Sequence, residues 1–340
     1  MTPVAPRVAV AIPTLLAGSM LETCLLALDR QTWPDFEVIV IDNGSVCAQP
    51  DASLFRFPLR VLRPGYNLGF GAAINLAVES TKAVLIAALN DDTEADPDWL
   101  AELVREVESG PRVGMCASSI RVSRSGRLDS AGMSICLDGS SKQRGGSMPL
   151  ASFARSEDVL FPSACAALYR RAMLEDIGMF DSDFFLYCED TDLGLRAVWA
   201  GWQCRYAARA GVRHGYSRTA QPYSSLKARY VERNRLWVAL KSFPFPLLFM
   251  VPFTSFARYF CQLWQVFFGS GAAAEFVASG FSIGCALGIV IRAHFETLWH
   301  LPELLRKRAA IAATRRIGSR EFIRLIMRHR ITVRELARAC

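Results

Sequence analysis

The sequence predicts an α/β protein: a mostly parallel sheet covered by helices on both faces, followed by a helical C-terminal region. Three observations carry this. Short apolar runs alternate with helix-spaced segments as far as Ala117, the turns that follow them are rich in Pro, Gly, Asn and Asp, and beyond Tyr216 the apolar pattern becomes purely helical.

Val8 to Ile12 is an apolar run closed by Pro13 and followed by Leu21, Cys24, Leu25 and Leu28 at helical spacing, which gives a strand, a turn and a helix. Glu37 to Ile41 is a second strand, ending in the turn cluster Asp42-Asn43-Gly44-Ser45, and Leu59 to Leu62 a third, ahead of Arg63-Pro64-Gly65. Phe70 to Lys82 is a helix and Ala83 to Leu89 a fully buried strand. Asp96 then stands as an N-cap, with Pro97 opening a helix over Asp98 to Ser109, and Val113 to Ala117 completes the set. Ser118 to Pro162, rich in Gly, Ser and Arg, is expected to form hairpins and mobile loops over a site, before structure resumes at Ser163 to Tyr169.

Tyr223 to Leu240 is helical. Three uncharged stretches follow, Ser242 to Ala257, Tyr259 to Ala274 and Phe276 to Ile291, each of 16 residues and separated by Arg258 and Glu275. Each falls short of the roughly 20 residues of a membrane span, so interfacial or buried helices are expected. Gly280, Gly284 and Gly288 recur every fourth residue, which predicts a tight helical hairpin in preference to a membrane-embedded dimer face. After Pro302 the helices are amphipathic and basic, and Thr332 with Glu335 forms a capping box. The expected division is therefore 1–222 and 223–340.

With 51% hydrophobic and 21% charged residues among 340, the chain is globular and long enough for about two domains. No charge-free apolar run reaches 18 residues, which excludes a polytopic membrane protein. The net charge of +7 sits in the last 39 residues, where 11 basic and 3 acidic side chains leave the body near neutral. A basic tail beside apolar stretches suits anionic lipid head groups, or simply a solvated Arg-rich face, and not nucleic acid. Ten cysteines without a CxxC pair argue for reduced thiols and a cytoplasmic setting. Val8 to Leu28, interrupted by Pro13 and Glu22, lacks the organisation of a signal peptide.

Two acidic turns stand out. Asn90-Asp91-Asp92-Thr93 follows a buried strand, an expensive place for idle charge, and its carboxylates suit a divalent cation shared with substrate phosphates. Glu189-Asp190-Thr191-Asp192 follows the aromatic run Phe184 to Tyr187; carboxylates beside apolar walls have raised pKa values and can take a proton from a hydroxyl. Helix capping would employ one or two of these acids. His214, on a strand end before Gly215, could ligate a metal or be structural. Gly69-Phe70-Gly71 lacks the third glycine of a dinucleotide fingerprint, since Ile74 stands there, and no phosphate loop, HExxH or GxSxG elbow is present.

Six segments in order resemble the inverting glycosyltransferases of family 2, with the GT-A nucleotide-sugar-binding fold: Val10 to Thr14, Val40 to Ser45, Asn67 to Gly71, Leu89 to Thr93, Phe184 to Arg196, and Val212 to His214. The resemblance spans residue 8 to about 240, and Tyr230 to Arg235 looks like the helical extension of the rhamnosyltransferase-like branch. It implies that Pro13, Thr14 and Asp42 lie near the nucleobase and ribose, with Arg63, Asn67 and Gly69 around the rest of the donor nucleotide. Asp92 looks like the last acid of the family's metal motif and His214 like a further ligand of Mg²⁺ or Mn²⁺. Asn90 replaces the motif's first acid, so the resemblance apportions Asp91 and Asp92 less sharply; Asp91 is placed with the donor-binding residues. Asp190 matches the catalytic base, with Glu189 beside it. The branch favours deoxythymidine-diphosphate-rhamnose, with UDP- or GDP-sugars or a non-catalytic nucleotide-sugar-binding scaffold as alternatives. The expected acceptor is a glycan or polyprenyl-diphosphate-linked glycan of cell-surface polysaccharide synthesis. The basic tail would then place the protein on the inner face of the membrane, and a homo-oligomer is compatible with the pattern.

Overall fold

The computed structural model describes residues 6–337 apart from 17, 45–49, 124, 216–223 and 270. Ser45, Tyr216 and the expected boundary at 222–223 lie outside the described residues. The chain forms two compact units, one of Met1–Met133, Gln143–Ala197 and Gly201–Arg218, the other of Ser134–Lys142, Val198–Ala200 and Thr219–Cys340.

The first unit opens with β1 (Val8–Thr14), α1 (Ser19–Leu28), β2 (Phe36–Asp42), β3 (Leu59–Leu62), α2 (Phe70–Ser80), β4 (Leu85–Leu89), β5 (Thr93–Ala95) and α3 (Trp99–Val107). There follow β6 (Val113–Val122), β7 (Leu128–Ser130), β10 (Glu157–Val159), β11 (Ala166–Arg170), α4 (Arg171–Ile177), α5 (Glu189–Trp199) and β12 (Gln203–His214), while β8 (Met133–Ile135) and β9 (Ser141–Gln143) fall mostly in the second unit. β3-β2-β1-β4 is the expected parallel block. Its central strands β1 and β4 are apolar on both faces because both are covered: Val10, Ile12, Val38, Val40 and Leu89 join Leu21, Leu25 and Leu28 of α1 and Trp99 and Leu103 of α3 in one core.

Beyond β4 the sheet is mixed. β11 inserts antiparallel between β4 and β6, while β12 runs parallel to β6 and carries β5 and β10 antiparallel. In the tract expected to form hairpins and mobile loops the hairpins are present: β7 folds back antiparallel on β6, which continues through Val122, and β8 and β9 make a separate two-stranded sheet. These strands are three residues long, too short to leave a periodic signal. Asp96 does not cap α3. The helix starts at Trp99, its N-cap Asp98 makes no side-chain cap bond, and Asp96, fixed by its N–H to the Gly211 carbonyl, spends its carboxylate on Arg121. A guanidinium is the stronger partner for a carboxylate.

The second unit comprises α6 (Ser225–Ser242), α7 (Phe245–Phe267), α8 (Gly271–Ala278), α9 (Ile283–Trp299), α10 (Leu301–Thr314), α11 (Ser319–Arg328) and α12 (Val333–Ala337). Among the described residues, no helix is long and apolar enough to cross a membrane. The capping box holds, with Thr332 Oγ1 and Glu335 Oε2 2.7 Å apart. The glycine-lined hairpin does not form: Gly280 precedes α9 in a left-handed turn, and a Cβ at Gly280 or Gly288 would meet nothing within 4 Å.

Arg258, expected to separate two apolar stretches, lies inside α7 and faces inward. It donates to Glu232 (2.6 Å) and pairs with Asp138 (2.7 Å), while Arg235, fully buried, binds Glu232, the Asp138 carbonyl (2.9 Å) and Ser255 (3.0 Å). Burial alone would raise the Glu232 carboxyl, but the two guanidinium groups overcome it and hold the group below the usual carboxylate range. Gly139 makes the approach possible, since its Cβ would fall 2.2 Å from the Arg235 carbonyl oxygen. Removing one partner of a buried ion cluster leaves the others charged and unsatisfied. Arg235→Ala is therefore expected to destabilise the protein by about 3–5 kcal/mol in denaturant unfolding, and a loss within experimental error would show the cluster to be dispensable.

Candidate active site

The site is built in the first unit, at the carboxyl ends of β1, β2 and β4. Thr14 and Asp42, the last residues of β1 and β2, are register partners, with Pro13 beside Ile41. Asp42 accepts from the Gly44 N–H (3.3 Å) and pairs with Arg63 (3.7 Å). Asn67 Oδ1 accepts the Gly69 N–H (2.8 Å) in a local turn, and Asn43 pins the same loop to β2: its Oδ1 accepts from Leu68 N–H (2.8 Å) and its Nδ2 donates to the Gly69 carbonyl (3.1 Å). Gly69 has φ +81°, and a Cβ there would lie 2.3 Å from the Phe185 carbonyl oxygen. No other residue fits. That oxygen accepts the Phe70 N–H (2.8 Å), so the loop expected to face the donor abuts the turn before α5.

β4 delivers Asn90-Asp91-Asp92 to the same edge. Thr14 Oγ1 donates to Asp91 Oδ2 (2.6 Å); burial raises the Asp91 carboxyl and this hydrogen bond opposes the rise. Asp92 turns towards His214, the last residue of β12, with Oδ1 3.3 Å from Nε2. The other ring nitrogen, Nδ1, lies 3.1 Å from Asp129 Oδ2. Burial disfavours the charged ring, yet Cys165, Asp129 and Asp92 outweigh it and raise the His214 pKa. Metal-bound histidines ordinarily give their second ring N–H to a carboxylate, which fixes the ring and directs the free nitrogen to the ion. Asp129 stands where that partner belongs. Among the described residues, no three His, Cys, Asp or Glu side chains form a metal cage. Asp92 and His214 supply two donors, which fits Mg²⁺ or Mn²⁺ sharing its shell with substrate phosphates and water.

The second acidic turn is backed by strained chain. Phe185, Tyr187 and Cys188 have φ of 61°, 67° and 65°, left-handed values that cost non-glycine residues about 1–3 kcal/mol each. They set Glu189 and Asp190 at the start of α5. Asp190 accepts from Thr191 N–H (2.7 Å), Thr191 Oγ1 (3.2 Å) and Ala164 N–H (3.3 Å). Glu189 is buried, and its Oε2 has no hydrogen-bond partner among the described residues. Burial raises both carboxyls, and the charge of Asp190 raises Glu189 further. Donors favour an ionised carboxylate, so the negative charge is better supported on Asp190 and the proton on Glu189. Asp192 is structural: it pairs with Arg196 (2.8 Å), whose other nitrogens bind the carbonyls of Ile177, Gly178 and Met179.

One dipeptide joins the two turns. Ala164 donates to Asp190, and the next carbonyl, that of Cys165, accepts from Asn90 N–H (2.8 Å). The Cys165 thiol, pushed up by burial, lies in the field of His214, Asp129 and Asp92. The structure thus brings together the residues singled out in the sequence and adds Asn43, Asp129 and the 164–165 segment. Asn43 sat in a recognised turn cluster; Asp129 lay in the tract without periodicity.

The model of Glycosyl transferase family 2 matches residues 9–178. An N-acetylglucosaminyl-diphospho-decaprenol L-rhamnosyltransferase of Mycobacterium tuberculosis is 30% identical over 256 residues, covering 68% of this chain and 82% of that protein. An O-antigen biosynthesis protein of Myxococcus xanthus is 26% identical over 71% of this chain and 20% of its own length. Among solved structures, a mannosyltransferase from Pyrobaculum calidifontis in complex with GDP-Man and Mn²⁺ superposes with a TM-score of 0.51 at 16% identity, covering 92% of this chain and 86% of that one. A GT-A-like sheet whose strand ends gather these acids, in a chain matched by the family model over half its length, belongs to glycosyl transferase family 2, and the protein is a glycosyltransferase.

Proposed function

We propose that this glycosyltransferase is a metal-dependent, inverting enzyme that moves a sugar from a nucleotide donor to a hydroxyl of a polyprenyl-diphosphate-linked glycan in cell-surface polysaccharide synthesis. The observation that carries the proposal is the Ala164-Cys165 link, which sets Asp190 and the Asp92–His214 pair around one edge of the sheet. The mycobacterial relative, a rhamnosyltransferase named for N-acetylglucosaminyl-diphospho-decaprenol, supports rhamnose as the sugar and a lipid-linked acceptor; the donor we propose is deoxythymidine-diphosphate-rhamnose, with UDP- and GDP-sugars as the alternatives. The catalytic unit corresponds to 1–222, and 223–340 is a helical region that keeps the protein peripheral on the cytoplasmic face of the membrane.

Asp42, Arg63 and Thr14 line the end of the sheet that receives the nucleoside, with Asn67, Gly69 and Pro13 shaping the adjoining loops. Asp91 is held by Thr14 beside the diphosphate, and Asp92 with His214 would hold Mg²⁺ or Mn²⁺. Such a cation, when bound, neutralises the charge that builds on the departing diphosphate. Asp129 fixes the His214 ring. Asp190, ionised and aimed by its N–H donors, takes the acceptor hydroxyl proton as that oxygen bonds to the anomeric carbon and the carbon–phosphate-oxygen bond breaks on the opposite side. A single displacement inverts the centre. Glu189, keeping its proton, leaves Asp190 as the one base of the pair.

Asp190→Asn is expected to cut transfer by about 10²–10⁴-fold while donor affinity stays nearly unchanged, because the amide keeps the shape and loses the basicity; near-normal turnover would refute the assignment. Asp92→Ala should weaken Mn²⁺-dependent donor binding, and calorimetry showing equal affinity with and without the carboxylate would count against it. The proton on Glu189 predicts a pH effect on stability. Its folded pKa is raised, so its stabilising contribution is complete below the ordinary glutamate value of about 4.3 and is lost as pH climbs through the raised one. Glu189→Gln cannot ionise. Thermal melts should find it more stable than the parent above neutral pH, with the gap closing in acid.

A further inference from the structure

α7 presents Phe245, Phe249, Phe253, Phe256, Phe260 and Trp264 to the exterior. They recur at intervals of four, four, three, four and four, which places them on one face of the helix. Phe256 is 74% and Trp264 58% exposed, and the line runs along most of a helix that is about 34 Å long. The single charge within α7, Arg258, is turned the other way and consumed by Glu232 and Asp138. The outer face is therefore aromatic and uncharged over its length. Soluble monomers rarely leave so large a contiguous apolar surface in water. α9 carries a further exposed row, Leu287, Ile291, Phe295 and Trp299.

Charge decides what covers the α7 face. Residues 302–340 hold 11 basic and 3 acidic side chains. One of them, Arg334 of α12, is exposed and borders, together with Phe256 and Phe260, a shallow hollow of about 540 Å³. A second copy of the chain would match the apolar face but would bring like positive charges together. An anionic bilayer matches both: rings settle at the boundary between head groups and acyl chains, and guanidinium groups meet lipid phosphates. Since no described helix is long and apolar enough to span, the helix would lie in the plane of the interface.

We propose that the aromatic face of α7 is a monotopic docking surface that seats the C-terminal unit in the head-group boundary of an anionic phospholipid membrane, with Arg334 on a lipid phosphate. The proposal deepens the membrane-linked acceptor reading above and rests on it for its purpose, but its evidence is separate from the catalytic residues.

Flotation of the full chain with vesicles of phosphatidylglycerol and phosphatidylcholine tests it. The parent should float on the mixed vesicles and much less on pure phosphatidylcholine. The triple variant Phe249→Gln, Phe256→Gln, Phe260→Gln should lose at least about tenfold in partitioning, with an unchanged melting temperature and unchanged transfer to a water-soluble acceptor analogue. Arg334→Ala should weaken binding less, and its deficit should shrink as salt screens the lipid charge. Independently of any change to α7, brominated phosphatidylglycerol should quench the tryptophan emission of the parent, and Trp264→Phe should reduce that quenching. Flotation of the triple variant at the parent's level, or absence of quenching, would overturn the proposal; so would a halved molecular mass in the triple variant with flotation intact, which would assign the face to a dimer. A parent that floats but transfers no sugar would sink the enzymatic details and leave the docking surface supported.

Discussion

Two hydrogen bonds at neighbouring backbone groups hold the candidate site together. The Ala164 N–H reaches Asp190 and the Cys165 carbonyl receives Asn90, so the turn after β4 and the first turn of α5 are fixed to one dipeptide at the entry to β11. β11 is itself clamped between β4 and β6. Its antiparallel insertion is what carries residues 164–165 across the carboxyl end of the parallel block. Had the sheet continued parallel, the chain would have entered this strand from the opposite edge. The spacing between the Asp91-Asp92 turn and Asp190 is thus a property of sheet topology more than of any side chain.

The parallel block was legible because each of its strands is a run of apolar residues ended by a turn signal, and β3 begins and ends where the composition changes. The acidic turns were legible for a related reason: charge directly after a buried strand is conspicuous. What escaped was non-local. Asp96 has the local look of a cap, and only the fold reveals that Arg121 reaches it from β6. Asp129 lies on a three-residue strand whose neighbours leave no pattern, and its meaning comes from His214, 85 positions later.

The second unit shows the same division. Read along the chain, Arg258 interrupts an apolar segment and suggests a helix boundary. In three dimensions it is neutralised by Glu232 and Asp138, and α7 runs on unbroken. Burying that cluster carries a desolvation cost that hydrophobic side chains would not incur. In return it fixes which face of α7 turns inward. The glycines at 280, 284 and 288 misled for the opposite reason: their spacing is helical, but the first of them lies before the helix begins.

The left-handed residues before Asp190 have a consequence for anyone wishing to make a hardier enzyme. Phe185, Tyr187 and Cys188, like Ser147, are positions at which glycine would relieve a steric cost, and a thermostabilisation campaign would be drawn to them. The replacements at Phe185, Tyr187 and Cys188 would free the segment that leads into Glu189 and Asp190 and, on the proposed reading, would trade catalytic competence for heat resistance. Here, durability and turnover are competing uses of one bend in the chain.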